Sequence, residues 1–190
     1  MLSCKIIWIT LLVSLAAAAP FEARDEAFFS PSQVWLYGVS SHIIAPTPAG
    51  VVSKESTSGN RYSITTLFTF IYPPQVEGKK CHFEFYLDPS STVNGSAKLD
   101  LFSSIRPVRA TSNSTAFWSR GNQRSDQLGR LSVSKNASAT WDATYNEYLA
   151  EKIDCKTPGT VEGFELVGVY DNDLVSWNVS TSGLRIVYTS

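Results

Sequence analysis

Nine stretches of this sequence share one habit. Valine, isoleucine, threonine and aromatic residues crowd together, and then a cluster of glycine, proline, asparagine or serine breaks the run. The stretches are Gln33–Val39, Val51–Lys54, Tyr62–Tyr72, Cys81–Leu87, Ala97–Ser103, Leu128–Val133, Thr160–Val169, Leu174–Val179 and Leu184–Thr189. Side chains of these types fit a pleated, half-buried surface, and the breakers supply turns. Many short strands at this spacing must bury their apolar faces against one another. They predict an all-β chain, a single domain over residues 30–190 built as a two-layer antiparallel β-sandwich of about nine strands. Only TYNEYLAEK, residues 144–152, reads as helix, and for one short turn. From Ile105 to Gln127 no period holds. That stretch carries Trp118 and the arginines 106, 109, 120 and 124, and a loop of this length is often functional.

Alternation assigns faces within the runs. In CHFEFYLDP, Cys81, Phe83, Phe85 and Leu87 share one side, and His82, Glu84 and Tyr86 the other. Ala97, Leu99 and Leu101 alternate in the same way with Lys98, Asp100 and Phe102. The pair Asn94-Gly95 between the two runs tolerates positive φ, so they are expected to form one hairpin. The same period puts Val175, Trp177 and Val179 inward and Ser176 and Asn178 outward. Four Asn-x-Ser/Thr triplets, at Asn94, Asn113, Asn136 and Asn178, thus fall in turns, loops or on an outward face where a glycan could be solvated.

The N-terminus addresses the compartment. MLSCKIIWITLLVSLAAAAP has one early positive charge, Lys5, then an apolar run too short to span a bilayer, then four alanines. This is the pattern of a signal peptide, residues 1–18, cut after Ala18, because a cut after Ala19 would place Pro20 beside the broken bond. Residues 19–29 are mixed and charged and read as a tail. The C-terminal GLRIVYTS lacks the features of a lipid anchor. A secreted chain keeps only Cys81 and Cys155, since Cys4 leaves with the leader. In an oxidising compartment the two most simply pair, two buried thiols being the alternative. The net charge of −1, with no basic stripe and no basic amphipathic helix, argues against nucleic-acid binding and against membrane insertion.

No residue declares a reaction. His82-x-Glu84 has a metal-like spacing, but only His42 and His82 supply imidazole, and no Pro-Cys-x-x-Cys follows. Serine triads lack a Gly-x-Ser-x-Gly elbow. A glycosidase pair needs no signature, and Glu84, Asp88, Asp100, Glu165, Asp171 and Asp173 are available for one. Asp171-Asn172-Asp173 resembles a fragment of a cation loop and reads better as an Asx-rich turn. Neither catalytic residues, metal ligands nor a cofactor site are assigned. For binding, Trp35 and Tyr37 share one face of their strand and could stack on sugars or belong to the core; Trp118, in polar surroundings, is the better exposed aromatic.

The segments FFSPSQVWLYGVSSHI, YSITTLFTFIYP, CHFEFYLDPSSTVNGSAKLDLFSS, GNQRSDQLGRLSV and FELVGVYDNDLVSWNVSTSGLRIVY together resemble a family of fungal proteins. It is named for the C-terminal domain of But-two, a binder of the activating enzyme of a ubiquitin-like modifier. The likeness runs from about Phe28 to Tyr188 as a pattern of strands, turns and two cysteines. It implies a small secreted β-domain, with Cys81 and Cys155 in the positions of a pair, and it supplies no catalytic residues. The namesake's cytosolic partner does not suit an exported chain. The sequence thus leads to a secreted, N-glycosylated, non-catalytic β-domain that binds a glycan or protein at the cell surface or cell wall. A carboxylate-pair hydrolase is the alternative.

Overall fold

The structure, a computed structural model, describes residues 26–57, 60–109, 116–117, 124–150 and 152–189. The leader, Asn113, Trp118 and Arg120 lie outside them. The described chain is an antiparallel β-sandwich. Its strands are β1 (Ala27–Phe29), β2 (Gln33–Gly38), β3 (Ile43–Pro46), β4 (Ala49–Thr57), β5 (Asn60–Ile71), β6 (Lys80–Leu87), β7 (Thr92–Asn94) and β8 (Lys98–Ser104). They continue as β9 (Ala116–Phe117), β10 (Arg124–Ser132), β11 (Ala137–Ser138), β12 (Thr140–Thr144), β13 (Ile153–Asp154), β14 (Val161–Gly168), β15 (Asp173–Asn178) and β16 (Gly183–Thr189). A short α-helical turn, α1 (Glu147–Ala150), sits inside the segment expected to be helical, and a 3-10 turn, Pro74–Val76, lies between β5 and β6. All nine anticipated strands are present; those added are mostly two to five residues long, too short to show a period.

Two sheets face each other. The smaller runs β1-β16-β6-β11, with β13 also on β6, and the larger runs β12-β10-β8-β14-β5-β2-β3-β9, with β4, β15 and β7 branching from β5. Side chains of alternating parity meet between them: Phe83, Phe85 and Leu87 from β6, Phe68 and Phe70 from β5, Leu99 and Leu101 from β8, Phe164 and Leu166 from β14, and Trp177 from β15. Phe83 and Phe164 meet edge to face at 4.7 Å, as do Phe85 and Trp177 at 5.2 Å, the arrangement ring quadrupoles favour. The inward and outward sides expected for β6, β8 and β15 are those observed.

Three expectations fail. β6 and β8 are not one hairpin. β6 pairs with β16, β11 and β13 in the smaller sheet, whereas β8 pairs with β10 and β14 in the larger one. Alternation fixes a strand's faces but not its partner, and here the connection crosses between layers. Asp88 ties its start by accepting from the backbone and hydroxyls of Ser90 and Ser91. Gly95 and Ala97, both at positive φ, then turn it into β8. The tail 19–29 is the second. Its last residues form β1 on the edge of β16, and Phe29 packs on Phe70 and Tyr72 at 5.9 and 5.3 Å. The charges before Phe28 hid a strand of three residues. The third is the loop 105–127, whose last four residues, Arg124–Gln127, open β10.

The beginning of that loop covers part of the larger sheet's outer face. Thr69 Oγ1 donates to the carbonyl of Val108 at 2.8 Å, and Val108 packs with Trp35, Tyr37, Ile44 and Leu67 in a second small core. Gly163 makes the approach possible: a Cβ there would stand 2.8 Å from Pro107 Cα. Trp35 and Tyr37 are therefore corrected as ligand contacts. They are 3% and 1% exposed, buried beneath this flap instead of forming an open aromatic platform.

Cys81 and Cys155 are joined, S–S 2.06 Å, across a sequence separation of 74. The bond holds β13 and the residues after it against the start of β6, where Ile153 pairs with Cys81. No described helix is long and apolar enough to cross a membrane.

Candidate functional site: a cleft beside the disulfide

The six carboxylates named as examples for a hydrolytic pair are all engaged in structural contacts. On the outer face of β6, Glu84 pairs with Arg185 at 2.8 Å and accepts from Ser138. Partial burial disfavours its charge, but the bonds from Arg185 and Ser138 outweigh this and hold its carboxyl below the usual range. Asp88 ties the turn after β6 to Thr181 and Ser182. Asp100 and Arg130 form a two-pronged pair at 2.8 and 3.0 Å, and Glu165 and Arg124 another at 3.0 and 3.2 Å. Asp171 lies 3.8 Å from Lys54. Asp173, 1% exposed, accepts from Ser96 and from the Tyr170 amide, with Asn172 at φ 65° beside it; the Asp171–Asp173 stretch is a turn. Among the described residues no group of three His, Cys, Asp or Glu side chains is placed to hold a metal.

His82 is kept from partnership. Its Nδ1 is buried without a hydrogen-bond partner, and burial, with Lys152 nearby, pushes its pKa below the ordinary imidazole value. His42 lies elsewhere, its Nδ1 2.9 Å from the Tyr37 hydroxyl. His42 sits in the turn between β2 and β3 of the larger sheet and His82 on β6 of the smaller, and the two are not brought together.

A different set of residues converges. At the end of the sandwich marked by the disulfide, a cleft of about 210 Å³ opens between the layers. Its floor is Phe83, Leu128 and Phe164, three core side chains that reach the end of the sandwich. Its rim is polar: Ser103, Asp126, Asn146, Glu147, Lys156 and Glu162. Each wall has a local cause. Asp126 stands where β10 bulges against β8, between Arg124 and Gln127, and the Ser103 hydroxyl accepts from its amide at 3.1 Å. Bulges re-aim side chains in this manner. Glu147 opens α1, while Ile153 and Lys156 flank Cys155 and are carried by the disulfide. Glu162 accepts from the buried Tyr72 hydroxyl at 2.7 Å, which fixes its carboxylate at the rim.

An apolar floor with a ring of acceptors and one ammonium suits a ligand with one greasy face and a hydroxyl-bearing edge. Sequence reasoning missed this site because its residues come from six separated segments without a shared period. Asp126 lay in a stretch read as loop. Of the triplet asparagines, 94, 136 and 178 are exposed, and Asn113 lies outside the described residues. The chain matches no known family model and no curated protein.

Proposed function

We propose that this chain is an exported, N-glycosylated, non-catalytic recognition domain that binds a glycan at the cell surface or wall, in keeping with the fungal But-two C-terminal-domain resemblance. The end cleft carries this reading: its apolar floor and hydrogen-bonding rim match the two-sided chemistry of a sugar ring. The engagement of Glu84, Asp88, Asp100, Glu165, Asp171 and Asp173 in structural contacts supports binding over hydrolysis.

One observation favours the second reading, a carbohydrate-active hydrolase: Asp126, Glu147 and Glu162 surround the same floor. Incubation with insoluble cell-wall polysaccharides separates the two. The binding reading expects retention of the protein without released sugar, and retention about tenfold weaker in Asp126→Ala with Glu147→Ala, the loss of roughly 1.4 kcal/mol of contact. Soluble sugar that disappears in Glu147→Gln or Asp126→Asn establishes the hydrolase instead. Neither retention nor product overturns both.

A further inference from the structure

The hydroxyl of Thr65 has no explanation in the fold. Thr65 is 1% exposed, and its Oγ1 has no hydrogen-bond partner within the protein. A buried hydroxyl left in that state costs about 1–3 kcal/mol, and most buried polar atoms avoid it. Thr65 stands on the outer face of β5, opposite Tyr37 of β2, on the side away from the main core. There it lines a hollow of about 210 Å³ with Ser53, Ser63, Lys54, Arg124 and the apolar walls Val39 and Val167.

The lining is chemically one-sided. Among the described residues, three hydroxyls and two cations face the hollow, and no carboxylate belongs to its wall. Both cations are held in place from behind. Lys54 Nζ donates to the Val169 carbonyl at 2.9 Å and stands 3.8 Å from Asp171, and Arg124 is fixed by Glu165. One carbonyl and one distant carboxylate do not exhaust the three donors of an ammonium. Lys54 is also about one-third exposed, so it can reach a ligand entering from solvent.

We infer that this hollow binds a small oxyanion, whose oxygens accept from the Thr65 hydroxyl, from Ser53 or Ser63, and from the Lys54 ammonium. The shared chemistry is that of the carboxylate of a uronic acid or of a free inorganic oxyanion. At about 210 Å³ the hollow holds far more than a single water, room for the sugar ring as well as its acid group. The hollow shares no lining residue with the end cleft and stands independently of the function proposed for it.

Titration of the ¹⁵N-labelled protein with glucuronate, sulfate and glucose, followed by amide shifts, tests this. Both anions are expected to shift Thr65 and Val167 saturably, and glucose is not. Lys54→Met is expected to weaken both anions at least tenfold. Thr65→Val, of nearly the same shape, should weaken them while leaving Tm in anion-free buffer unchanged or higher. Tighter glucuronate marks a sugar acid as the ligand, and equal or tighter sulfate marks a free anion. No saturable shift from either anion overturns the inference, as does glucose matching glucuronate. A Tm lowered by Thr65→Val overturns it as well, since the hydroxyl is then structural.

Discussion

Glu165 is fully buried on the outer face of β14, and its charge is tolerated because Arg124 reaches it with two nitrogens. The guanidinium itself rests on the ring of Phe102, 4.7 Å from its centre, so the pair is packed as well as bonded. Removing one partner strands a charge in the sheet. Arg124→Met is expected to lower stability by about 3–5 kcal/mol, and the double variant with Glu165→Gln by much less, in denaturant unfolding. Asp88 makes a pH-dependent contribution. Hydrogen bonds from Thr181, then Ser90, and from Ser91, outweigh a small desolvation cost and hold its carboxyl well below the ordinary value. A depressed folded pKa stabilises the protein above the unfolded value, near 4, and that stabilisation is lost as pH falls from there toward the folded pKa. Asp88→Asn should therefore flatten the decline of Tm below about pH 4 and change it least in acid. Alternation placed Glu165 and Asp88 on their strands and turns. It could not find Arg124, forty-one positions before Glu165, because such a pair leaves no local trace.

At the scale of elements, the legible part is the set of strands whose apolar faces alternate: β6, β8 and β15 each present the side their sequence implies. Strand pairing was not legible. The Asn94-Gly95 turn suggested a hairpin, yet the chain after Asp88 leaves one layer for the other, and the partners of β6 come from the C-terminal third of the protein. The end cleft inherits that opacity, since β10, α1, β13 and β14 meet there only once both sheets are assembled. The disulfide is the exception, because the leader expected over residues 1–18 takes Cys4 with it and leaves two cysteines to pair. It also fixes one wall of the cleft. Closing a loop with a sequence separation of 74 contributes about 4–5 kcal/mol in the chain-entropy account. Cys81→Ala with Cys155→Ala is expected to lower the denaturant midpoint accordingly and to weaken polysaccharide retention beyond what the surviving folded fraction explains.

The whole molecule has two unlike ends. Ala137, next to Asn136, pairs with Leu87, and the turn that starts at Asn178 is bound to Asp88, so both asparagines flank the far end of β6. The cleft lies at the other end, beside Cys81. Glycans on Asn136 and Asn178 would stand away from the cleft, and enzymatic deglycosylation of the folded protein should leave retention on polysaccharide unchanged. A loss of retention would show that the glycans take part in the contact.

The pairing of β1 with β16 sets how the domain responds to load. Ala27 lies opposite Tyr188 and Phe29 opposite Ile186, so tension applied through β1 and β16 meets their ladder rung by rung, as a zipper does. Opposed tethering at both extremities would peel β1 away at low force, while the seven-rung seam between β16 and β6 and the sulfur bridge behind it stay closed. Anchored through one end alone, the same body presents no such seam to the pull.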